Sequence, residues 1–474
     1  MTNKHLIGKQ VLLLYTDRQK NAFALQQQFC DTYRRAIVPA LELLFDRLSS
    51  PELYIRLDKV EIDLGVLSPQ DLGSDALAER IAEQLEEFIG VNLENIPGSS
   101  VKTQAVHHFE QWLFWLEHGV LPALSTAPET DWLEYVLQNL GLESSAVEQL
   151  HILLLSRPEA PRRLVLQHDA KFMQALVELF TGHKQEMLPR FIALFHTVQQ
   201  HSPSKLSTLQ FRQLEIAYWT EIVSITVLKR EKLPASSLIA TVQTVASISL
   251  LLSPFVKFIK SGKEYDNEPL VSLILKPQGG SRQKKTEKLM EDEALVKAKA
   301  EKELTPAPEN CFIQNAGIVL IHPFLQRFFA KIDLLDGNHF KDESAQHKAI
   351  VLLHYLATGS PTTPDYNLVL PKLLCDMPIN VSLDHFLTPD KAELDAADNM
   401  LSAAIEHWEA LGNTSPNGLR EGFLQRPGKI EMVSGARRLL VEHNTLDILL
   451  DRLPWGIGIV KLPWMGEMLK VEWR

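Results

Sequence analysis

The sequence predicts a mainly α chain: a small N-terminal α+β unit, a helical middle, a charged linker, and a C-terminal, mostly helical domain with short terminal strands. Three observations predict it. Apolar residues recur every three or four positions through most of the chain, which lays one side of a helix against a core. Alternation of apolar and polar residues, the mark of a half-buried strand, is confined to stretches near the two ends. Between residues 278 and 310 large apolar residues almost vanish while Lys, Glu and Ala dominate, a composition that solvates rather than packs.

The N-terminal unit is assigned to residues 1–100. Residues 6–16 end in an apolar, strand-like run, and Asp17 can cap the helix that follows. That helix runs to about Leu48, with Phe23, Leu25, Phe29, Tyr33, Ile37, Leu41 and Leu44 near helical spacing and a bend expected at Pro39. In YIRLDKVEIDLG, Ile55 and Leu57 alternate with charge, as do Val60, Ile62 and Leu64, and the slip at Asp58–Lys59 predicts a β-bulge. Leu77, Ile81, Leu85, Phe88 and Ile89 mark a further helix.

Residues 101–277 read as helices of ordinary length broken by prolines, with Trp112, Trp115 and Leu116 on a helix that ends at Gly119. No fixed repeat period is present, so no repeat solenoid is predicted. Residues 278–310 form the linker. Residues 311–474 form the last domain, with helices near 322–332, 343–357, 390–411 and 417–425 and strand-like pieces RRLLVEH, GIGIVKL and LKVEW.

Composition narrows the function. The chain has 474 residues, 45% of them apolar and 23% charged, a globular balance. With 48 basic against 59 acidic side chains the net charge is −11, which disfavours nucleic acid as a partner. Cys30, Cys311 and Cys375 are odd in number and far apart, so reduced, mostly buried thiols are expected rather than a disulfide framework or a metal pair. The apolar run Val11–Tyr15 is too short for a signal-peptide core, so assembly in the cytoplasm is expected. Leu233 to Val256 carries no charge and is long enough to cross a bilayer, but its eight Ser, Thr and Gln side chains favour a buried helix over membrane contact.

The motifs of chemistry are missing. The Walker spacing, GxGxxG, GxSxG and HExxH do not occur. Adjacent His107 and His108 point in different directions on a helix and read as surface or helix-end side chains. Asp58, Glu61 and Asp63 read as the solvated face of a strand. Linker lysines such as Lys284, Lys285 and Lys288 are interleaved with acids such as Glu287, Glu291 and Asp292, so they build no phosphate-binding patch. No catalytic residue, cofactor or metal ligand is assigned, and no enzyme is predicted.

The last forty residues carry the most information. Leu453-Pro454-Trp455 recurs as Leu462-Pro463-Trp464, and the chain closes on Val471-Glu472-Trp473. Proline fixes its own φ and pushes its predecessor toward extended backbone, so each LPW sets a large ring on a stiff elbow. Two readings stand side by side. The rings close the C-terminal core, or Trp455, Trp464 and Trp473, with Pro454 and Pro463, form a docking site, since Trp is enriched at interface hot spots.

At these residues the chain resembles a known family. IQNAGIVLIHPFL (313–325), FKDESAQHKAIVLLHYLATG (340–359), NLVLPKLLCDMP (367–378), AIEHWEALGNTSPNGLREGFLQRPGKI (404–430) and DILLDRLPWGIGIVKLPWMGEMLKVEW (447–473) closely resemble the C-terminal region of tape measure proteins of extracellular contractile injection systems. These systems are phage-tail-like particles with a sheath, an inner tube and a baseplate. LYIRLDKVEIDLG resembles a weaker signature of the same family. Asp376 departs from the family pattern, which prefers glycine after the cysteine.

The resemblance implies a non-enzymatic assembly protein that sets inner-tube length and links to the baseplate hub. It implies the inner-tube protein and the hub or spike proteins as partners, and a place inside the particle after assembly in the cytoplasm. Copy number stays open, a homo-oligomer included. The alternatives are a baseplate or assembly scaffold that does not set length, and a cryptic enzyme of the particle such as a peptidoglycan hydrolase. At 1.5 Å per residue a single helix of the whole chain would reach only about 700 Å, and 26 prolines forbid one.

Overall fold

The computed structural model describes residues 5, 7–8, 10–13, 15, 22–50, 52–68, 70–92, 99–123, 125, 128, 130–201, 206–261, 271, 308, 310–433 and 436–473. The linker assigned to 278–310 lies almost wholly outside them. The chain divides into two compact units, 1–110 with 126–139, and 111–125 with 140–474.

In the first unit, α1 (Ala22–Thr32) and α2 (Val38–Leu48) are joined by a π turn, Tyr33–Ile37. The Val38 N–H donates to the Tyr33 carbonyl, five residues back. Pro39 has no N–H to donate, and the widened turn is where the regular ladder gives way to it. Helix continues through Pro39 without a break from residue 22 to 48. β1 (Leu53–Arg56) is followed by α3 (Asp75–Asn92) and pairs antiparallel with β2 (Ser100–Thr103).

The predicted second half of the strand, with its bulge, is absent: the described residues 57–64 carry no ladder. Val60, Ile62 and Leu64 are half-buried between exposed Glu61 and Asp63. Ile62 and Leu64 pack on the cluster Ile37, Leu41, Leu72, Leu77, Ala78 and Ile81. Alternation belongs to any extended segment with one covered side; here helices cover it. Residues 10–13, part of the strand expected at 6–16, are also outside any strand, and the rest of that run is largely outside the described residues.

Next come α4 (Gln104–His118), α5 (Trp132–Leu142), α6 (Ser144–Ser156), α7 (Glu159–Gln167), α8 (Ala170–Thr181), α9 (Met187–His201) and α10 (Thr208–Val223). Local chemistry sets their ends. Gly119, at φ 77°, closes α4 and donates its N–H to the Trp115 carbonyl at 2.8 Å, as its position predicted. Asp169 caps α8 through the Phe172 N–H at 2.8 Å, and Ser207 with Gln210 forms a capping box on α10. The stretch Leu233 to Val256 is not one helix but two, α11 (Ala235–Val242) and α12 (Ala246–Ser261). The break falls at Gln243–Val245, where polar side chains favour turn hydrogen bonds. No helix among the described residues is long and apolar enough to cross a membrane.

The remaining elements are β3 (Asn310–Ile313), α13 (His322–Lys331), the ribbon β4 (Leu335–Asp336) and β5 (His339–Phe340), α14 (Glu343–Thr358), α15 (Val369–Leu374), α16 (Lys391–His407) and α17 (Pro416–Leu419). They are followed by β6 (Gly428–Val433), β7 (Ala436–Val441), β8 (Ile459–Val460) and β9 (Leu469–Glu472). The helices predicted near 322–332, 343–357, 390–411 and 417–425 are α13, α14, α16 and α17 with its neighbouring turn, α15 was not foreseen, and the three predicted tail strands are β7, β8 and β9.

Four strands of this domain were not foreseen: β4 and β5, which pair as a ribbon, and β3 and β6, which complete a five-stranded sheet of order β3-β6-β7-β9-β8. Its one parallel pair is β7–β9. Cys311, Ile430, Leu439 and Val471 lie opposite one another across four strands and face the core. The alternate row carries Glu431, Arg438 and Glu472, joined by ion pairs on the outer face. Close backbone approach seals the core elsewhere: a Cβ on Gly317 would collide with the Phe423 carbonyl.

Candidate functional site

The two LPW elbows lie on the connection from β7 to β9. A 3-10 helix, Thr445–Arg452, starts that connection with a capping box of Asn444 and Asp447. Leu453 ends it in extended backbone, φ −72° and ψ 121°, as the residue before Pro454 must.

Each elbow turns its ring inward and its proline outward. The Trp464 ring is 6% exposed, with centroids 5.0 Å from Phe340 and 5.6 Å from Phe329. Its Nε1 donates to the Leu374 carbonyl at 2.8 Å. Leu374 is the last residue of α15, so the indole N–H satisfies an acceptor that the helix leaves open. The half-buried Trp455 repeats the device: its Nε1 donates to the Leu320 carbonyl at 2.8 Å, near the end of a 3-10 turn, and its ring meets Phe324 edge-on at 5.1 Å. Pro454 and Pro463 are exposed.

Trp473 is 4% exposed, with the Arg426 guanidinium 5.7 Å from its ring centre. Arg426 also pairs with Asp447 at 3.0 Å and donates to the carbonyls of Gly422 and Glu442. The three tryptophans therefore fasten separate helix and loop ends of one domain rather than meeting in a common cleft. The segment's exposed large apolar side chains are Leu446, Ile448, Ile459 and Met468.

Asp376 adopts φ 58°, the left-handed region in which glycine is most at ease. Aspartate tolerates it better than most residues, and the Asp376 carboxylate accepts the Gly466 N–H at 3.0 Å, beside the second elbow.

The titratable groups are mostly structural. His107 and His108 are half-buried near the N-terminal end of α4, stacked on Tyr54 and Tyr135, and burial holds His107 down to about 4. Burial also lowers His168 and His354 to about 4 and pushes Cys311 up to about 11. Cys375 is raised too; it and Cys311 are buried and Cys30 is exposed, so the thiols are mostly buried as expected. Among the described residues no group of three or more His, Cys, Asp or Glu side chains is placed to hold a metal ion.

Sequence reasoning missed one cluster. Arg163, Asp365 and Lys372 are fully buried together: Arg163 Nε lies 3.2 Å from Asp365, and Lys372 Nζ 2.5 Å from the same carboxylate. A signal existed. Lys372 is the one charge in the apolar run Leu368–Cys375, and Arg163 falls on the buried stripe of α7 with Ala160 and Leu164.

No curated protein and no solved structure matches the chain. The model of one family does: contractile injection system tape measure protein, over residues 4–473. The resemblance carried by the C-terminal segments thus extends through the helices and the N-terminal unit, and the chain belongs to the contractile injection system tape measure protein family.

Proposed function

We propose that this protein sets the length of the inner tube during assembly of a contractile injection particle, and that residues 311–474 dock on the baseplate hub. The single observation that carries the reading is membership of the tape measure family along nearly the whole chain. Docking is assigned to the outward parts of the elbows, Pro454, Pro463 and the open edge of Trp455, because the rings beneath them hold that surface in one shape. Its partners would be the tube protein and the hub or spike proteins, reached within the particle.

Deleting about 20 residues from the helical middle should shorten the tubes by about 30 Å if that segment is helical in the lumen. Electron microscopy of the particles measures it. Tubes of unchanged length would replace the ruler with an assembly scaffold, a reading favoured by one feature. The longest uninterrupted helical stretch among the described residues, 22–48 across the π turn, has 27 residues, so a ruler must open out or act in several copies. The domain map of 1–100, 101–277, 278–310 and 311–474 goes with this proposal. Limited trypsin should cut first in the lysine-rich 278–310 and give fragments of about 30 and 20 kDa; first cuts inside 104–276 would redraw the map.

A further inference from the structure

The helices of residues 111–125 and 140–261 meet the C-terminal domain through an unusual contact. The apolar core of that domain is nearly self-contained: among the described residues, buried Val120 and half-buried Phe114 are its members from outside residues 311–473, and Trp115 adds an edge-on ring contact to Tyr366 at 6.0 Å. The contact itself is largely polar and centred on α7. Arg163 reaches Asp365 with Nε and donates to the carbonyls of Leu116 and Asn380 with its other nitrogens. Lys372 closes the other side of Asp365 and donates to the Ile379 carbonyl at 3.1 Å.

Around this cluster, Gln167 spans the contact in both directions. Its Nε2 donates to the Leu383 carbonyl at 2.7 Å, and its Oε1 accepts the Asp365 N–H at 2.9 Å. The His385 N–H donates to the Leu166 carbonyl at 3.1 Å, and Arg212 grips Asp384 with two bonds of 2.8 and 2.7 Å.

The physics of such a contact is lopsided. Buried ions lose hydration on docking, and their mutual attraction roughly repays it, so a closed cluster adds geometry more than net stability. On opening, an apolar face would be stranded in water, but these charges regain their shells.

We propose that this contact is a release joint: residues 111–125 and 140–261 come away from 310–473 at Arg163, Asp365 and Lys372 while each side keeps its own core, and the chain lengthens by that step. The lengthening clause rests on the ruler reading; the opening does not.

Native-state hydrogen exchange on the unaltered full-length chain, in rising sub-denaturing urea, tests the opening. The amides of Asp365 and His385 should exchange at least about tenfold faster than those of the β6–β7 ladder, through an opening that urea promotes because it exposes surface. Coincidence with global unfolding overturns the joint, and so does fast exchange indifferent to urea, which is local fraying. A closed form comes from the triple variant Arg163→Met, Asp365→Leu and Lys372→Met, since apolar replacement of a buried ion cluster is often tolerated or stabilising. It should slow exchange at His385 and reduce the number of particles formed. Slower exchange with normal particle number would overturn the lengthening clause alone, and the deletion series judges the ruler reading separately.

Discussion

Residues 140–261 and 310–473 are built by different means. In the first, helix follows helix, capping residues such as Asp169 and Ser207 set the ends, and side chains tie in distant carbonyls within the bundle, Tyr218 to Leu188, Gln185 to Leu233 and His151 to Leu228, the last 77 positions away. In the second, Asp342 and Asp390 cap helices in the same way, but indole and guanidinium groups reach carbonyls up to 135 positions away: Trp455 to Leu320, Trp464 to Leu374, Arg420 to Leu356 and Trp408 to Leu449. A region of local devices tolerates insertion and deletion, because a lost turn of helix takes its own hydrogen bonds with it. A region of distant devices fixes one geometry and loses several contacts when any part shifts. That contrast fits a chain in which one part varies in length and another docks, and it can be broken by experiment.

The largest effect expected is at Trp464. Trp464→Ala empties a buried site and strands the Leu374 carbonyl, at a cost of roughly 3–5 kcal/mol in urea unfolding. Trp464→Phe should keep most of the packing and lose mainly the hydrogen bond, about 1 kcal/mol. On the helical side, Leu250 on α12 is 76% exposed, so Leu250→Ala should change stability by no more than about 0.5 kcal/mol. Comparable losses at Trp464 and Leu250 would erase the distinction.

Acid should come next, and it strikes both regions. The Trp112 indole N–H donates to His168 Nε2 at 3.0 Å, so the proton sits on Nδ1, which donates to the Leu164 carbonyl. His354 is buried on α14 and its Nδ1 has no partner. Burial holds both near 4 when folded, against an ordinary value of 6.5. A depressed histidine gives its full stability above the unfolded value and loses it as the pH falls. Each should withdraw up to about 3 kcal/mol between pH 6.5 and 4. Urea titrations stepped through that window should show His354→Leu with a shallower decline than the parent chain. A flat profile down to pH 4.5 would mean that these rings are hydrated.

The two regions also differed in how far they could be read. Helices in both were legible because their buried stripes repeat within ten residues: Leu325, Phe328 and Phe329 in α13, or Phe211, Leu214 and Tyr218 in α10. Tail strands were legible from the alternation in Leu469-Lys470-Val471-Glu472. β3 and β6 were not, since the short NCFI and GKIEMV segments gain their identity only by pairing with each other. The same limit hid Arg163 and Asp365, which are 202 positions apart. The repeat of LPW drew attention to the right segment, yet a rigid elbow does not say which way its ring faces; Leu374 and Leu320, the acceptors that decide it, lie elsewhere in the chain.

The smallest effect is expected at Asp376, where two terms oppose. Asp376→Gly relieves a positive φ, a gain of up to about 1 kcal/mol, but removes the acceptor of the Gly466 N–H, a loss of about the same size at an exposed position. Stability should therefore change by less than about 1 kcal/mol, because aspartate and glycine hold this left-handed turn about equally well. Asp376→Ala keeps the strained φ and also lacks the carboxylate, so it should cost about 1–2 kcal/mol. The gap between the Ala and Gly variants reads the backbone term alone, since neither has the hydrogen bond. If Ala and Gly unfold at the same urea concentration, the left-handed turn carries no strain, and the tie to the second elbow is the whole contribution of Asp376.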